Sequence, residues 1–221
     1  KENNIYFLDS ELDGFTCIWD AGGVDSIDGS RSKNSVEIDL RNASLLNQAG
    51  GGGFVSRLKD NYKGYTIAYN SNGDCLIENA VGSDYADTIK GNNESNIIKG
   101  NNGNDFIYGL GGNDFIWGGG GEDTFVLSGN LSDYIFYEQD NKIRSFDIRK
   151  HANDGEDLLS EIEYLKFNDK TISTSQVVFS QSKPPVSSLP QILGEYGTLS
   201  LDHNWQTVTY DNTYSNPVVI M

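Results

Sequence analysis

The sequence predicts an all-β fold, a parallel β-roll flanked by antiparallel strands, on three observations. Five nonapeptides run without an insertion from Gly82 to Val126: GSDYADTIK, GNNESNIIK, GNNGNDFIY, GLGGNDFIW and GGGGEDTFV. Their first position is always glycine, and their eighth is Ile89, Ile98, Ile107, Ile116 or Phe125. Around them, short alternating runs between Gly, Asp and Asn turns read as strands, and helical periodicity is weak throughout.

In chain order, the stretch before the repeats offers strands at Asn4–Leu8, Phe15–Trp19, Val36–Leu40 and Tyr65–Tyr69, with a four-glycine loop at Gly50–Gly53. Each nonapeptide then divides into a six-residue turn and a three-residue strand, whose middle side chain, at position eight, points inward. A flexible Gly/Asn linker would have neither the strict period nor the phased isoleucine. After the repeats, strands are expected at Tyr134–Tyr137, Ile143–Ile148, Ile162–Phe167 and Val177–Phe179. Residues 181–193 hold three of the four prolines and read as a semi-extended linker. Residues 194–221 hold short strands at Thr198–Leu201, Thr207–Tyr210 and Pro217–Met221, a fragment or the start of a further β domain. The domain reading is thus 1–180 (repeats 82–126, flanking strands 127–180), a linker 181–193, and 194–221.

The sixth position carries the chemistry. It is Asp87, Asn96, Asp105, Asp114 and Asp123. Turns on the same edge of a two-sided roll recur every second repeat, so Gly82–Asp87 faces Gly100–Asp105, Gly91–Asn96 faces Gly109–Asp114, and Gly100–Asp105 faces Gly118–Asp123. Each facing pair sets carboxylates among inward-pointing carbonyls. A cage of hard oxygens at about 2.3–2.6 Å suits calcium. The five repeats hold seven acids and two bases, which repel across the stack unless a cation intervenes.

Composition narrows the partners. Thirty-two acids against 16 bases give a net charge of −16, which disfavours nucleic acid. No run of apolar residues is long enough to suggest a transmembrane segment. The two histidines, His151 and His203, are far apart and neither is followed by Glu, so the chain has no H-E-x-x-H zinc motif and is not expected to be an enzyme by itself. Glu161 and Glu163 alternate on an expected strand and should face solvent. His203-Asn204-Trp205 is the one suggestive cluster of the tail; Trp205 as core of a β module is the plainer reading.

Residues 15–127 resemble the C-terminal β-roll domain of serralysin-type secreted metalloproteases, a subset of the RTX (hemolysin-type) proteins, here without the protease domain. Besides the repeats, the resemblance is carried by Ile18-Trp19-Asp20-Ala21-Gly22-Gly23-Val24-Asp25, by Val36-Glu37-Ile38-Asp39-Leu40-Arg41, and by Tyr65-Thr66-Ile67-Ala68-Tyr69 with Ile77-Glu78-Asn79-Ala80-Val81-Gly82. Residues 131–172 are similar to a segment that follows β-rolls in secreted bacterial RTX proteins. The resemblance implies irregular calcium sites at Asp20, Gly22 and Asp25, and at Gly23, Asp25, Leu76 (through its carbonyl) and Glu78. Within the roll it implies cages joining Gly82, Asp84 and Asp87 to Asn101, Gly103 and Asp105. The next joins Gly91, Asn93 and Asn96 to Leu110, Gly112 and Asp114. A third joins Gly100, Asn102 and Asp105 to Gly119, Gly121 and Asp123; Gly109 and Gly111 hold the corresponding places in the fourth turn.

Two departures fall in one turn. Asn96 replaces Asp at position six and Glu94 replaces Gly at position four, so the Asn96–Asp114 cage should be weak or empty. Cys17 and Cys75 are either a disulfide, since the implied sites bring Gly23–Asp25 near Leu76–Glu78, or two buried free thiols. The function implied is a calcium-binding module of a secreted, extracellular or cell-surface bacterial protein, exported by type I secretion machinery and folding on calcium, several ions per chain. The competing expectations are an accessory part of a secreted metalloprotease or other hydrolase, and an adhesion or sugar-binding protein with a cell-surface or glycan partner.

Overall fold

The computed structural model describes residues 2–20, 22–44, 53–59, 63–69, 75–149 and 154–180. The expected linker and tail strands, His151, His203 and Trp205 lie outside the described residues. Upstream of the repeats come β1 (Ile5–Phe7), β2 (Phe15–Ile18), β3 (Ser26–Asp28), β4 (Val36–Asp39), β5 (Ser56–Leu58), β6 (Gly64–Ile67) and β7 (Asn79–Val81). The repeats form β8 (Thr88–Lys90), β9 (Ile97–Asn102), β10 (Phe106–Tyr108), β11 (Phe115–Gly120) and β12 (Thr124–Val126). After them come β13 (Tyr134–Gln139), β14 (Lys142–Asp147), β15 (Glu156–Ser160), β16 (Tyr164–Lys166), β17 (Thr171–Ser173) and β18 (Phe179–Ser180).

Successive repeat strands go to opposite sheets, because each turn between them reverses the chain. β8, β10 and β12 pair in parallel on one side, and β7, β9 and β11 on the other. The register is the expected one, two repeats per rung: Ile89 faces Ile107 and Ile98 faces Ile116. β9 and β11 are longer than expected, since each continues into the next turn.

The roll does not end with the repeats. One sheet runs β1-β3-β7-β9-β11-β15-β14-β13-β18 and the other β17-β16-β12-β10-β8-β4-β5-β6-β2. β15 continues the first in parallel (Ile116 faces Leu159) and β16 continues the second (Phe125 faces Leu165). Upstream, β3 and β4 do the same, with Ile27 opposite Ala80 and Ile38 opposite Ile89. Position eight is therefore one inward ladder per sheet: Ile27, Ala80, Ile98, Ile116, Leu159, and Ile38, Ile89, Ile107, Phe125, Leu165. All of these side chains are buried. Each large member contributes about 1.5–3 kcal/mol by leaving water.

The antiparallel expectation holds at the flanks, in the β4–β5–β6 meander, the β13–β14–β15 meander and the β16–β17 hairpin. The expected strand at Val177–Phe179 is displaced. Ser173 caps a 3-10 turn at Thr174–Gln176, and only Phe179–Ser180 pairs, with β13. Among the described residues, no helix is long and apolar enough to cross a membrane.

Candidate metal centre

The position-six side chains fold back into the stack and line up along both edges. The Asp87 N–H donates to Asp105 Oδ1 (2.8 Å), and the Asp105 N–H to Asp123 Oδ1 (2.9 Å). On the other edge, the Asn96 N–H donates to Asp114 Oδ1 (2.8 Å). One carboxylate oxygen of Asp105, Asp114 and Asp123 thus ties its own turn to the turn two repeats earlier. All five position-six side chains are buried.

The second oxygen separates the turns into two kinds. In turns three to five, position two has positive φ: Asn101 (78°), Leu110 (71°) and Gly119 (109°). Asp105 Oδ2, Asp114 Oδ2 and Asp123 Oδ2 in those turns are buried without a hydrogen-bond partner. In the first two turns position two, Ser83 and Asn92, is not among the residues with positive φ. Its N–H instead donates to the position-six side chain, Ser83 to Asp87 Oδ2 (2.5 Å) and Asn92 to Asn96 Oδ1 (2.8 Å). The Ser83 hydroxyl also donates to Asp87. A buried carboxylate oxygen without a donor is costly, and a cation is the partner such an oxygen lacks.

Main-chain oxygens gather at the same places. Position-one glycines leave space that a methyl would fill: at Gly100 it would meet both Asp105 Oδ2 and the Gly118 carbonyl oxygen, and at Gly82 both Asp87 Oδ2 and the Gly100 carbonyl oxygen. Among the described residues no three acidic, histidine or cysteine side chains cluster, so a cation held here takes carbonyl oxygens alongside one or two carboxylates. Such mixed, hard-oxygen coordination fits calcium and not a histidine- or thiolate-seeking metal.

Electrostatics agree. Burial pushes the Asp105 carboxyl up to about 7, with the charges of Asp87 and Asp123 adding to it. Burial raises Asp114 to about 7 and Asp123 to about 6, the latter aided by Glu163 and Glu161. Asp87 is also raised by burial, but the donors from Val36 and Ser83 oppose the shift. These groups resist ionising with no cation beside them.

Upstream, the structure brings Asp25 and Glu78 together: the Asp25 N–H donates to Glu78 Oε2 (2.7 Å), and the Glu78 N–H to the Asp25 carbonyl (3.2 Å). Asp25 Oδ2 is buried without a partner. Gly22 and Gly23 have positive φ in the adjoining turn, and Leu76 leads into Glu78. Asp20 is different. Tyr6 Oη (2.6 Å) and the Asn4 side-chain amide (3.0 Å) donate to its Oδ2, and the Gly22 N–H donates to Oδ1 (3.1 Å). Residues from β1 and just before it therefore supply donors to Asp20. Cys17 and Cys75 are free thiols; Cys75 is buried, but Cys17 is exposed, contrary to the expectation of two buried thiols.

Sequence reasoning placed Glu163 on a solvent-facing strand. It lies instead in the turn before β16, and its Oε2 accepts the Asp123 N–H (2.8 Å). Asp157 Oδ1 likewise accepts the Asp114 N–H (3.1 Å). Both acidic ladders thus run on past the repeats. The signal was present: Asp157 and Glu163 stand two positions before Leu159 and Leu165, as each position-six residue stands before its position-eight residue.

A family model described as the RTX calcium-binding nonapeptide repeat (4 copies) matches residues 81–116 and 91–125. No curated protein matches the chain significantly. Among solved structures, the chain is similar to the extracellular lipase LipA from Serratia marcescens, at 22% identity and a TM-score of 0.36. That match covers 46% of this chain, which spans only 18% of the lipase. The matched residues include the three turns that carry unpartnered carboxylate oxygens, and it is residues 81–125 that match the RTX calcium-binding nonapeptide repeat.

Proposed function

We propose that this chain is a non-catalytic calcium-binding β-roll module of a secreted bacterial protein, exported unfolded by type I secretion and folding when it meets calcium outside the cell. The single observation that carries this reading is the set of buried, unpartnered oxygens on Asp105, Asp114 and Asp123. Calcium supplies the missing counter-charge there and ties together turns two repeats apart. The cage is absent from an extended chain, so binding free energy becomes folding free energy.

The strongest cage joins Gly100, Asn102 and Asp105 to Gly119, Gly121 and Asp123, since both of its carboxylates have an oxygen to offer. The cages joining Gly82, Asp84 and Asp87 to Asn101, Gly103 and Asp105, and Gly91, Asn93 and Asn96 to Leu110, Gly112 and Asp114, each have one side chain already engaged by its own turn. Asp25, Glu78, Gly22, Gly23 and the Leu76 carbonyl form the upstream site, with Asp20 contributing least. Residues 1–180 are the folding unit; the two sheets join strands from β1 to β18 within it.

Calorimetric titration of calcium-stripped protein tests the reading. At least two calcium ions should bind firmly within the repeats, with the Asn96–Asp114 cage filling last, and magnesium, which dehydrates reluctantly and demands a tighter octahedron, should not replace them. Absence of binding at millimolar calcium would overturn it.

A further inference from the structure

The free oxygen of the last position-six residue, Asp123, lies beside a carbonyl from outside the repeats. In the turn below, Asp105 Oδ2 shares the space beside Gly100 with the Gly118 carbonyl oxygen, so it points toward the turn two repeats later. Asp123 Oδ2 is also buried and unpartnered, but the repeats end at Val126. Beside Gly118, the space an added methyl would take holds Asp123 Oδ2 (2.5 Å) and the carbonyl oxygen of Glu161. A non-repeat residue has taken the place of the next turn.

Three further features make that place resemble a cage. β16 pairs with β12 in the register β12 uses with β10, Phe125 facing Leu165 on one side and Ile107 on the other. The Asp123 N–H donates to Glu163 Oε2 at 2.8 Å, as the Asp105 N–H donates to Asp123 Oδ1 at 2.9 Å. Glu161, two positions before Glu163, has φ +53°, where Gly121 and Gly103, two positions before Asp123 and Asp105, have φ 140° and 127°. Left-handed backbone is costly for a non-glycine residue and persists where the surroundings hold it. The turn is also shorter. Trp117 and Ser160 face each other, and from them the chain reaches β12 through 118–123 but β16 through 161–163 alone. A glutamate, one methylene longer than aspartate, keeps its carboxylate within reach.

We propose that Glu163, the Glu161 carbonyl and Asp123 form a further calcium site outside the nonapeptide repeats, closing the C-terminal end of this edge of the roll. The proposal rests on the calcium-roll reading above. Asp123 then serves two ions, as Asp105 does, and the flanking segment is part of the metal-binding structure as well as a cap on the core. Trp117 Nε1 donates to Glu161 Oε2 (2.5 Å), placing an indole at the rim of the site.

The test compares calcium stoichiometry, by native mass spectrometry of the full chain, between the parent and Glu163→Gln. Gln still accepts the Asp123 N–H through its amide oxygen, so the stack is kept and only the charge is lost. Glu163→Gln should bind one calcium fewer, with an unchanged β-type circular dichroism spectrum at saturating calcium. A second readout needs no change at the site: terbium added to the parent should emit under indole excitation, and Trp117→Phe should lose at least half of that emission. A parent that binds no calcium overturns the roll reading and this proposal with it. A parent that binds calcium while Glu163→Gln matches it ion for ion, or terbium emission unchanged in Trp117→Phe, overturns this proposal alone.

Discussion

At the scale of single residues, the backbone of position two separates the two kinds of turn. Where φ is positive, at Asn101, Leu110 and Gly119, the position-six carboxylate keeps a buried oxygen without a donor; in the Ser83 and Asn92 turns, the position-two N–H reaches that side chain. Asp105 faces turns on both sides. Asp105→Ala should therefore weaken two cages, while Asn96→Ala removes a neutral side chain already bonded to Asn92. With each cage at a hundred times its dissociation constant contributing about 2.7 kcal/mol, Asp105→Ala should cost up to about 5 kcal/mol at saturating calcium. Asn96→Ala should cost much less; denaturant melts in calcium compare the two. Proton linkage gives a second expectation. Asp105 and Asp114 are held at about 7 in the metal-free fold, against about 3.9 in an unfolded chain. A raised folded pKa means stability fully present below about 4 and lost as pH rises through about 7. Calcium-stripped protein should thus be most ordered in mild acid and lose β signal toward pH 8. Calcium affinity should move oppositely, falling as pH drops below about 7, which titrations at several pH values measure.

At the scale of elements, the last three turns stack so closely on the turns two repeats earlier that a side chain has little room at their position four. A methyl on Gly121 would run into the Gly103 carbonyl, and Gly121 has φ 140° besides. Gly121→Ala should lower the melting temperature in calcium, whereas Leu110→Gly, which relieves a left-handed leucine, should raise stability by about 1 kcal/mol. Ile107, fully buried between Ile89 and Phe125, should cost about 2–5 kcal/mol when cut to alanine, by loss of burial and the cavity left behind. The repeat strands were legible because glycine and isoleucine recur in fixed phase. β3, β5, β7, β15 and β17 were not, because each places few apolar residues inward and takes its register from a neighbour. β15 shows why: Asp154-Gly155 reads as an ordinary turn, and only the facing Ile116 makes Leu159 the next rung.

At the scale of the whole molecule, the sequence revealed the calcium-bearing edge but not its length. The two-repeat register and the acidic side chains followed from the period alone. Asp157 and Glu163 keep the position-six spacing, but the β13–β14 hairpin stands between them and the repeats in sequence, and only folding returns them to the ladder. A net charge of −16, with carboxylates stacked along both edges, makes the fold depend on what neutralises them. The most direct measurement is far-ultraviolet circular dichroism of calcium-stripped protein at fixed ionic strength and pH 7.5, titrated with calcium and, separately, with magnesium. The account predicts a largely disordered starting spectrum, a cooperative gain of β signal with calcium, and no comparable gain with magnesium. A β spectrum already complete without calcium, and unchanged by adding it, would contradict it.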